Sequence, residues 1–183
     1  MALVESVALE MGQIMPDFKL STPEGNHYTR KTLTGKKGLL IVFTCNHCPY
    51  ALAIWPRLIR LAAWAEEEGV ATVAINPNIH PNYPEDAPDR MREKIHQWGI
   101  LFPYLVDETQ SVARAYQAQC TPDIYLLDVD GRLFYHGRLD DNWKSEADVS
   151  RKELQMAVHA LIEGESSPTP QHATMGCSIK WQS

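Results

Sequence analysis

The chain has 183 residues, 17 Lys+Arg against 23 Asp+Glu, and a formal net charge of −6. That length suits one domain with a sizeable core, and the acidic balance excludes a general grip on nucleic acid, which needs a basic surplus against phosphates. No apolar run reaches the roughly 20 residues of a membrane-spanning helix, and residues 1–6, Met-Ala-Leu-Val-Glu-Ser, lack the pattern of a secretory leader. The expectation is a cytoplasmic protein, without membrane or nucleic-acid partners, whose four cysteines serve catalysis, sensing or metal binding rather than structural disulfides.

In chain order, Gly12 to Leu20 leads into a first extended segment. Pro23-Glu24-Gly25-Asn26 gives a turn, and His27-Tyr28-Thr29 returns as a second short strand. Leu39 to Phe43 is apolar and reads as a buried strand. After Thr44-Cys45-Asn46-His47-Cys48, Pro49 stands near a helix start. That helix is expected to run to about Glu68 and stop at Gly69, with Leu58, Leu61, Ala62 and Ala65 on one face, widened by Trp55 and Ile59. Pro56 inside it is expected to kink it or shorten its first part. Val70 to Asn76 is a second buried strand, parallel to the first across a right-handed crossover.

A loop over 77–84 is rich in Pro and Asn. Asp86 reads as the cap of a helix carrying Met91, Ile95 and Trp98 on one face and ending at Gly99. Phe102 to Val106 is short and apolar. Asp107-x-x-Gln110 resembles a capping pattern before a short helix with Val112, Ala113 and Tyr116. Ile124–Asp128 and Leu133–His136 flank Val129-Asp130-Gly131-Arg132, an antiparallel hairpin. Ser150-x-x-Glu153 reads as a capping box before Leu154, Ala157, Val158 and Leu161, with Gly164 as the stop. Residues 1–164 thus read as the domain and 165–183 as its tail. The tail nears its end with Met175-Gly176-Cys177-Ser178-Ile179-Lys180-Trp181, a composition expected to dock on the body.

Two cysteines separated by two residues at a strand-to-helix turn suit thiol–disulfide exchange, in which one sulfur attacks and the other resolves the mixed disulfide. A helix N-terminus carries about half a positive charge, and such placement lowers a cysteine pKa from about 8.5 to roughly 3.5–7.5. The turn is expected to put Cys45 near that end. The alternatives are a pair of buried thiols or half of a zinc site, although the chain has no second Cys-x-x-Cys. His47 either adds positive charge that favours the Cys45 thiolate or is an exposed turn histidine. A metal held by Cys45, Cys48 and His47 is a further alternative.

The order strand, Cys-x-x-Cys, helix, strand, helix, then Thr121-Pro122 before a hairpin resembles the thioredoxin fold, and Gly12 to Leu20 looks like the opening of peroxiredoxin and related redoxin domains. Phe43–Tyr50, Ala74–Asn78, Tyr83–Asp86, Phe102–Gln110, Cys120–Asp123 and Gly176–Trp181 together resemble a bacterial group of thioredoxin-like redoxin-domain proteins, labelled peroxiredoxin-like or thiol–disulfide isomerase-like. The resemblance covers nearly the whole chain. It implies an α/β fold with a mixed central sheet flanked by helices and an N-terminal β extension. It also implies that Cys45 attacks, that Cys48 resolves, and that a cis peptide joins Thr121 to Pro122 facing the thiols. The chain departs from thioredoxin in carrying Thr44 before the first cysteine and Asn46-His47 between the two. It departs from the peroxiredoxin motif Pro-x-x-x-Thr-x-x-Cys as well. Aligned on Cys48, Ile41 and Cys45 stand at the Pro and Thr positions; aligned on Cys45, Gly38 and Val42 do.

The leading expectation is therefore a thiol–disulfide oxidoreductase with no cofactor and no resident metal. Its partners would be a disulfide-containing protein or small-molecule disulfide and an external reductant such as a thioredoxin or glutathione system. The alternatives are a thiol peroxidase with antioxidant activity, which passes through a sulfenic acid, and a metal-binding or redox-sensing module without turnover. Cys120, next to Thr121-Pro122, is expected near the thiol pair, either as a participant or as a small buried hydrophobe. Cys177 is either a resolving thiol or tail latch, or a packing residue of the docked tail. Arg138 to Trp143 reads as a structural loop; His80, His96, His136 and His159 read as surface or packing residues, and Trp55, Trp64 and Trp98 as core.

Overall fold

A computed structural model describes residues 2–182. Its centre is the strand β4, Gly38–Phe43, in which all six residues are buried. Side chains alternate across a strand, so β4 feeds both faces of the sheet. Leu40 and Val42 join one apolar cluster with Ile54, Trp55, Leu58 and Leu154. Leu39, Ile41 and Phe43 join a second with Phe18, Tyr116 and Tyr125. A strand covered on both faces reads as a continuous apolar run, as 39–43 does.

Ten strands and five helices are labelled in chain order: β1 Leu3–Glu5, β2 Lys19–Ser21, β3 His27–Thr29, α1 Arg30–Leu33, β4, α2 Pro49–Glu67, β5 Val70–Asn76, α3 Pro88–Trp98, β6 Tyr104–Val106, α4 Ser111–Ala115, β7 Cys120–Thr121, β8 Asp123–Asp128, β9 Leu133–His136, α5 Glu153–Glu163 and β10 Met175–Ser178. The main sheet has the order β3-β2-β6-β5-β4-β8-β9. β4, β5 and β6 run parallel; β8 is antiparallel to β4, and β9 is antiparallel to β8. Gly131 at φ +80 turns the β8–β9 hairpin at the expected place. This is the mixed sheet flanked by helices that the sequence implies. No helix among the described residues is long and apolar enough to cross a membrane.

Four local expectations are corrected. Pro56 does not shorten α2, which is continuous from Pro49 to Glu67. Pro56 and Leu52 are both exposed, so the carbonyl that loses its helical partner four residues back faces water. Asp86 does not cap α3, whose N-cap is Ala87. Ser150 and Glu153 form no capping box, because Glu153 binds Arg138 and His172 while Ser150 bonds Asp141. Asp107 does hold the start of α4, accepting from Ala113 N at 2.8 Å, but the Gln110 side chain turns away to Pro77 O and Lys180 O.

The tail docks as a strand. β10 lies between β1 and β7 in a separate three-stranded sheet, with Cys177 opposite Leu3 on one side and Thr121 on the other. Beyond β10, Asn78 Oδ1 accepts from Lys180 N at 2.9 Å, Gln110 Oε1 accepts from Gln182 N at 2.8 Å, and Arg114 lies over the Trp181 ring. The loop 77–84 and Gln110 therefore form the seat of the tail. β10 approaches Thr121 so closely that a Cβ on Gly176 would stand 2.1 Å from the Thr121 carbonyl oxygen. Gly176→Ala is expected to cost about 1–3 kcal/mol by overpacking, lower the melting temperature by several degrees, and speed amide exchange at 175–178. Calorimetry with hydrogen-exchange mass spectrometry measures both, and unchanged exchange would show that the close approach does not govern docking.

Candidate active site

β4 delivers the chain to the motif. Thr44 N donates to Ile75 O at 2.9 Å, extending the parallel ladder one step beyond Phe43. Residues 44–48 then form a loop, and α2 begins with Pro49 at its first position. Cys48 is the N-cap. The sequence reading placed Cys45 near the helix N-terminus; the structure gives that position to Cys48. The difference follows from Pro49, which fixes the first helical residue and so makes the preceding one the cap.

Both sulfurs rest on the Thr121-Pro122 turn, whose peptide bond is cis as implied. Cys45 Sγ lies 3.2 Å from Thr121 Oγ1, and Cys48 Sγ, when protonated, donates to Thr121 O at 3.1 Å. The two thiols influence each other strongly. The Cys45 thiol is the largest influence on Cys48, and although burial opposes it, the Cys177 thiol and the N–H groups of Ala51 and Cys177 add to it, holding Cys48 down to about 4. Burial first, then Cys48 and the Asp86 carboxylate, push Cys45 well above its ordinary value, against the Thr121 hydroxyl. The two sulfurs are pushed in opposite directions, so the reduced pair shares one proton across neutral pH.

The residues between the cysteines are bound to a buried acid. Asp86 Oδ1 accepts from Asn46 N at 2.6 Å and Asn76 Nδ2 at 3.0 Å, and its other oxygen receives His47 Nδ1. Asn46 is held further by Glu85 O at 2.9 Å and by the Tyr104 hydroxyl at 3.0 Å. His47 stacks on Tyr83 with ring centroids 4.7 Å apart, and its Nε2 is buried without a partner. His47 is not an exposed turn histidine: its side chain keeps 8% exposure. Cys45 Sγ, a His47 ring nitrogen and an Asp86 oxygen all lie within 4.8 Å of one another.

Sequence reasoning missed Asp86 as a member of this site. One signal was available: Pro88 marks the first helical residue, so a cap would have to stand at 87, where there is alanine. Asn76 and Tyr104 carried no signal beyond their strands.

The other candidates sort as follows. Cys177 packs with Cys45, Cys48 and Ala51 in one buried cluster. Cys120 does not join it; its thiol turns to Pro122 O at 3.4 Å, and burial, followed by the Asp123 charge, pushes it up. It is a packing cysteine beside the site. The loop 138–143 is structural: buried Arg57 of α2 donates to Asp140 at 2.6 Å and to Asn142 O at 2.8 Å, and Trp143 packs on Tyr50 with centroids 4.1 Å apart. His136 packs on Tyr125 and pairs with Asp123.

A sequence profile of the AhpC/TSA family matches residues 11–136. A crystal structure of an uncharacterized conserved protein from Geobacillus kaustophilus is 40% identical, covers 100% of this chain and 97% of its own, and superposes with a TM-score of 0.94. A hypothetical protein from Sinorhizobium meliloti 1021 is 37% identical over 98% of each chain, with a TM-score of 0.93. Thiol-disulfide oxidoreductase ResA of Geobacillus thermodenitrificans (strain NG80-2) is 26% identical over 129 residues, 70% of each chain.

The thiolate is the testable property of this geometry. The reduced protein is expected to show the ultraviolet absorbance of one thiolate per chain at neutral pH, lost only as pH falls to about 4, and Cys48→Ser should abolish it. The sign for stability follows. Because the Cys48 value is depressed from 9.0 to about 4 on folding, its contribution is full above the unfolded value and disappears as pH falls through the folded one. Between those limits the reduced wild type should gain stability over Cys48→Ser as pH rises, as read by urea titration at several pH values.

Proposed function

The chain belongs to the AhpC/TSA family, and on that premise we propose that it is a thiol–disulfide oxidoreductase working through Cys45 and Cys48. The observation that carries the reading is the pair itself: two thiols, two residues apart, sharing one proton over the Thr121-Pro122 turn of a thioredoxin fold. Cys45 takes the attacking part and Cys48 the resolving part. The Cys45 proton passes to Cys48, and the Thr121 hydroxyl steadies the resulting Cys45 thiolate. A thiolate with a raised pKa is the stronger nucleophile. It attacks one sulfur of a disulfide, and the other leaves with the electron pair. Cys48 then gives up its proton and attacks Cys45 Sγ, releasing the second thiolate and closing the Cys45–Cys48 disulfide.

Asp86 and His47 are the proton-handling groups beside Cys45. The Asp86 carboxylate holds a proton on His47 Nδ1 and leaves Nε2 as a base without a partner. Substrates in this reading are disulfides of proteins or small molecules, with an external dithiol as reductant. The cytoplasmic setting expected from the sequence is kept as part of the proposal.

Two observations favour other readings. Membership of the AhpC/TSA family and a thiolate at a helix N-cap favour a thiol peroxidase, against the absent Pro-x-x-x-Thr-x-x-Cys motif. The cluster of Cys45, His47 and Asp86 has the donor set of a zinc site.

Four measurements test these readings. One equivalent of hydrogen peroxide is expected to oxidise the reduced protein over many minutes, whereas a small disulfide forms Cys45–Cys48 readily; conversion by peroxide within seconds through a sulfenic acid would make it a peroxidase. Cys48→Ser should accumulate a mixed disulfide at Cys45, and Asp86→Asn should slow turnover by roughly 10²-fold, the lower end of acid–base contributions. Zinc added to the reduced protein should leave alkylation of Cys45 unprotected; stoichiometric protection, lost in His47→Ala, would favour the metal module.

A further inference from the structure

The mechanism above uses two thiols, but the site contains a third. Cys177 comes from the docked tail, 129 positions after Cys48 in the sequence, and packs against Cys45, Cys48 and Ala51. Its strand register sets it opposite Thr121, the residue on which both sulfurs of the pair rest. The Cys177 thiol and N–H both act to lower the Cys48 value. Gly176 is what lets β10 come this close, and the seat formed by Asn78 and Gln110 keeps it there. Cys45 and Cys48 are wholly buried, whereas Cys177 keeps 4% exposure at the outer side of the cluster.

We propose that Cys177 is a third redox thiol that exchanges with Cys48, so that the oxidised protein is divided between a Cys45–Cys48 and a Cys48–Cys177 disulfide. The inference rests on the oxidoreductase reading for the origin of the first disulfide. The step is an internal exchange. The Cys177 thiolate attacks Cys48 Sγ; the Cys48–Cys177 bond forms and the Cys45–Cys48 bond breaks. The electron pair leaves on Cys45, which takes up the proton that Cys177 lost. Nothing is oxidised or reduced in sum. Cys45 becomes a free nucleophile while the protein remains oxidised, and its resolving partner is occupied. In that state a mixed disulfide at Cys45 is not resolved by Cys48, so the protein would rearrange substrate disulfides rather than reduce them.

Trypsin sites make the outcome readable. Cys45 and Cys48 fall on the peptide 38–57, Cys177 on 153–180 and Cys120 on 115–132. Reduced wild type is treated with one equivalent of an aromatic disulfide that releases a coloured thiol, then alkylated and mapped without reduction. The proposal expects two populations, an internal disulfide within 38–57 and a cross-link of 38–57 to 153–180. Cys45→Ser, with Cys45→Ala as a second variant, is expected to release two coloured thiols per chain and form the cross-link. Adding Cys177→Ser should halve that release to one. The proposal is overturned if the Cys45 variants stop at one released thiol with Cys177 still open to alkylation, or if oxidised wild type contains no cross-link. Cys177→Ser alone tests the underlying reading: an internal disulfide within 38–57 upholds the oxidoreductase whatever becomes of Cys177, and its absence overturns the oxidoreductase while the Cys45 variants still decide the third thiol.

Discussion

The buried Asp86 carboxylate is the constraint on which the site depends. An ionised acid without water is costly unless its lone pairs are filled, and here they are filled by Asn46 N, Asn76 Nδ2 and His47 Nδ1. Those donors come from the loop between the two cysteines and from the end of β5. The acid therefore ties the Cys-x-x-Cys loop to the sheet and fixes the chain segment entering α3 in the same stroke. Asn46 and His47, the two residues between the cysteines, are the ones so tied.

The Thr121-Pro122 turn completes the enclosure from the other side. One residue, Thr121, offers its hydroxyl to Cys45, its carbonyl to Cys48 and its backbone ladder to β10. Opposing influences on the two sulfurs follow from this arrangement. Cys45 faces the acid, and Cys48 faces the N–H groups at the start of α2 and in the tail. Two chemically identical side chains are thereby made unequal, as division of labour in an exchange reaction requires.

Most of the fold was legible because its signals are local. The apolar runs at 39–43 and 70–76, the hairpin at Asp130-Gly131 and the helix stops at Gly99 and Gly164 each depend on a few neighbouring residues, and each appears where expected. The Cys-x-x-Cys pair was legible for the same reason, and the Thr121-Pro122 turn through the family resemblance. What was not legible is long-range. Asp86, Ser150 and Glu153 look like caps because acids and hydroxyls before a helix usually are, but tertiary partners claimed them instead. The strand β1, only three residues long, has no pattern of its own and exists because β10 pairs with it. The composition of the tail showed that it docks and carries a cysteine; only the structure showed that this sulfur packs against the pair.

The pairing of β1 with β10 also sets an order of assembly. Leu3–Glu5 precedes every strand of the main sheet in the chain, yet its ladder partner lies at Met175–Ser178. A chain emerging from the ribosome can complete the seven-stranded sheet, whose last strand is β9, well before that partner exists. The thiols are thus assembled first and roofed afterwards. During that interval the pair lacks the cover of Cys177, and closing the small sheet joins segments 170 or more positions apart. Contacts of such separation are slow to form. The finished site is the product of a late, slow closure, and the newly made protein would be at its most reactive before its own tail arrives.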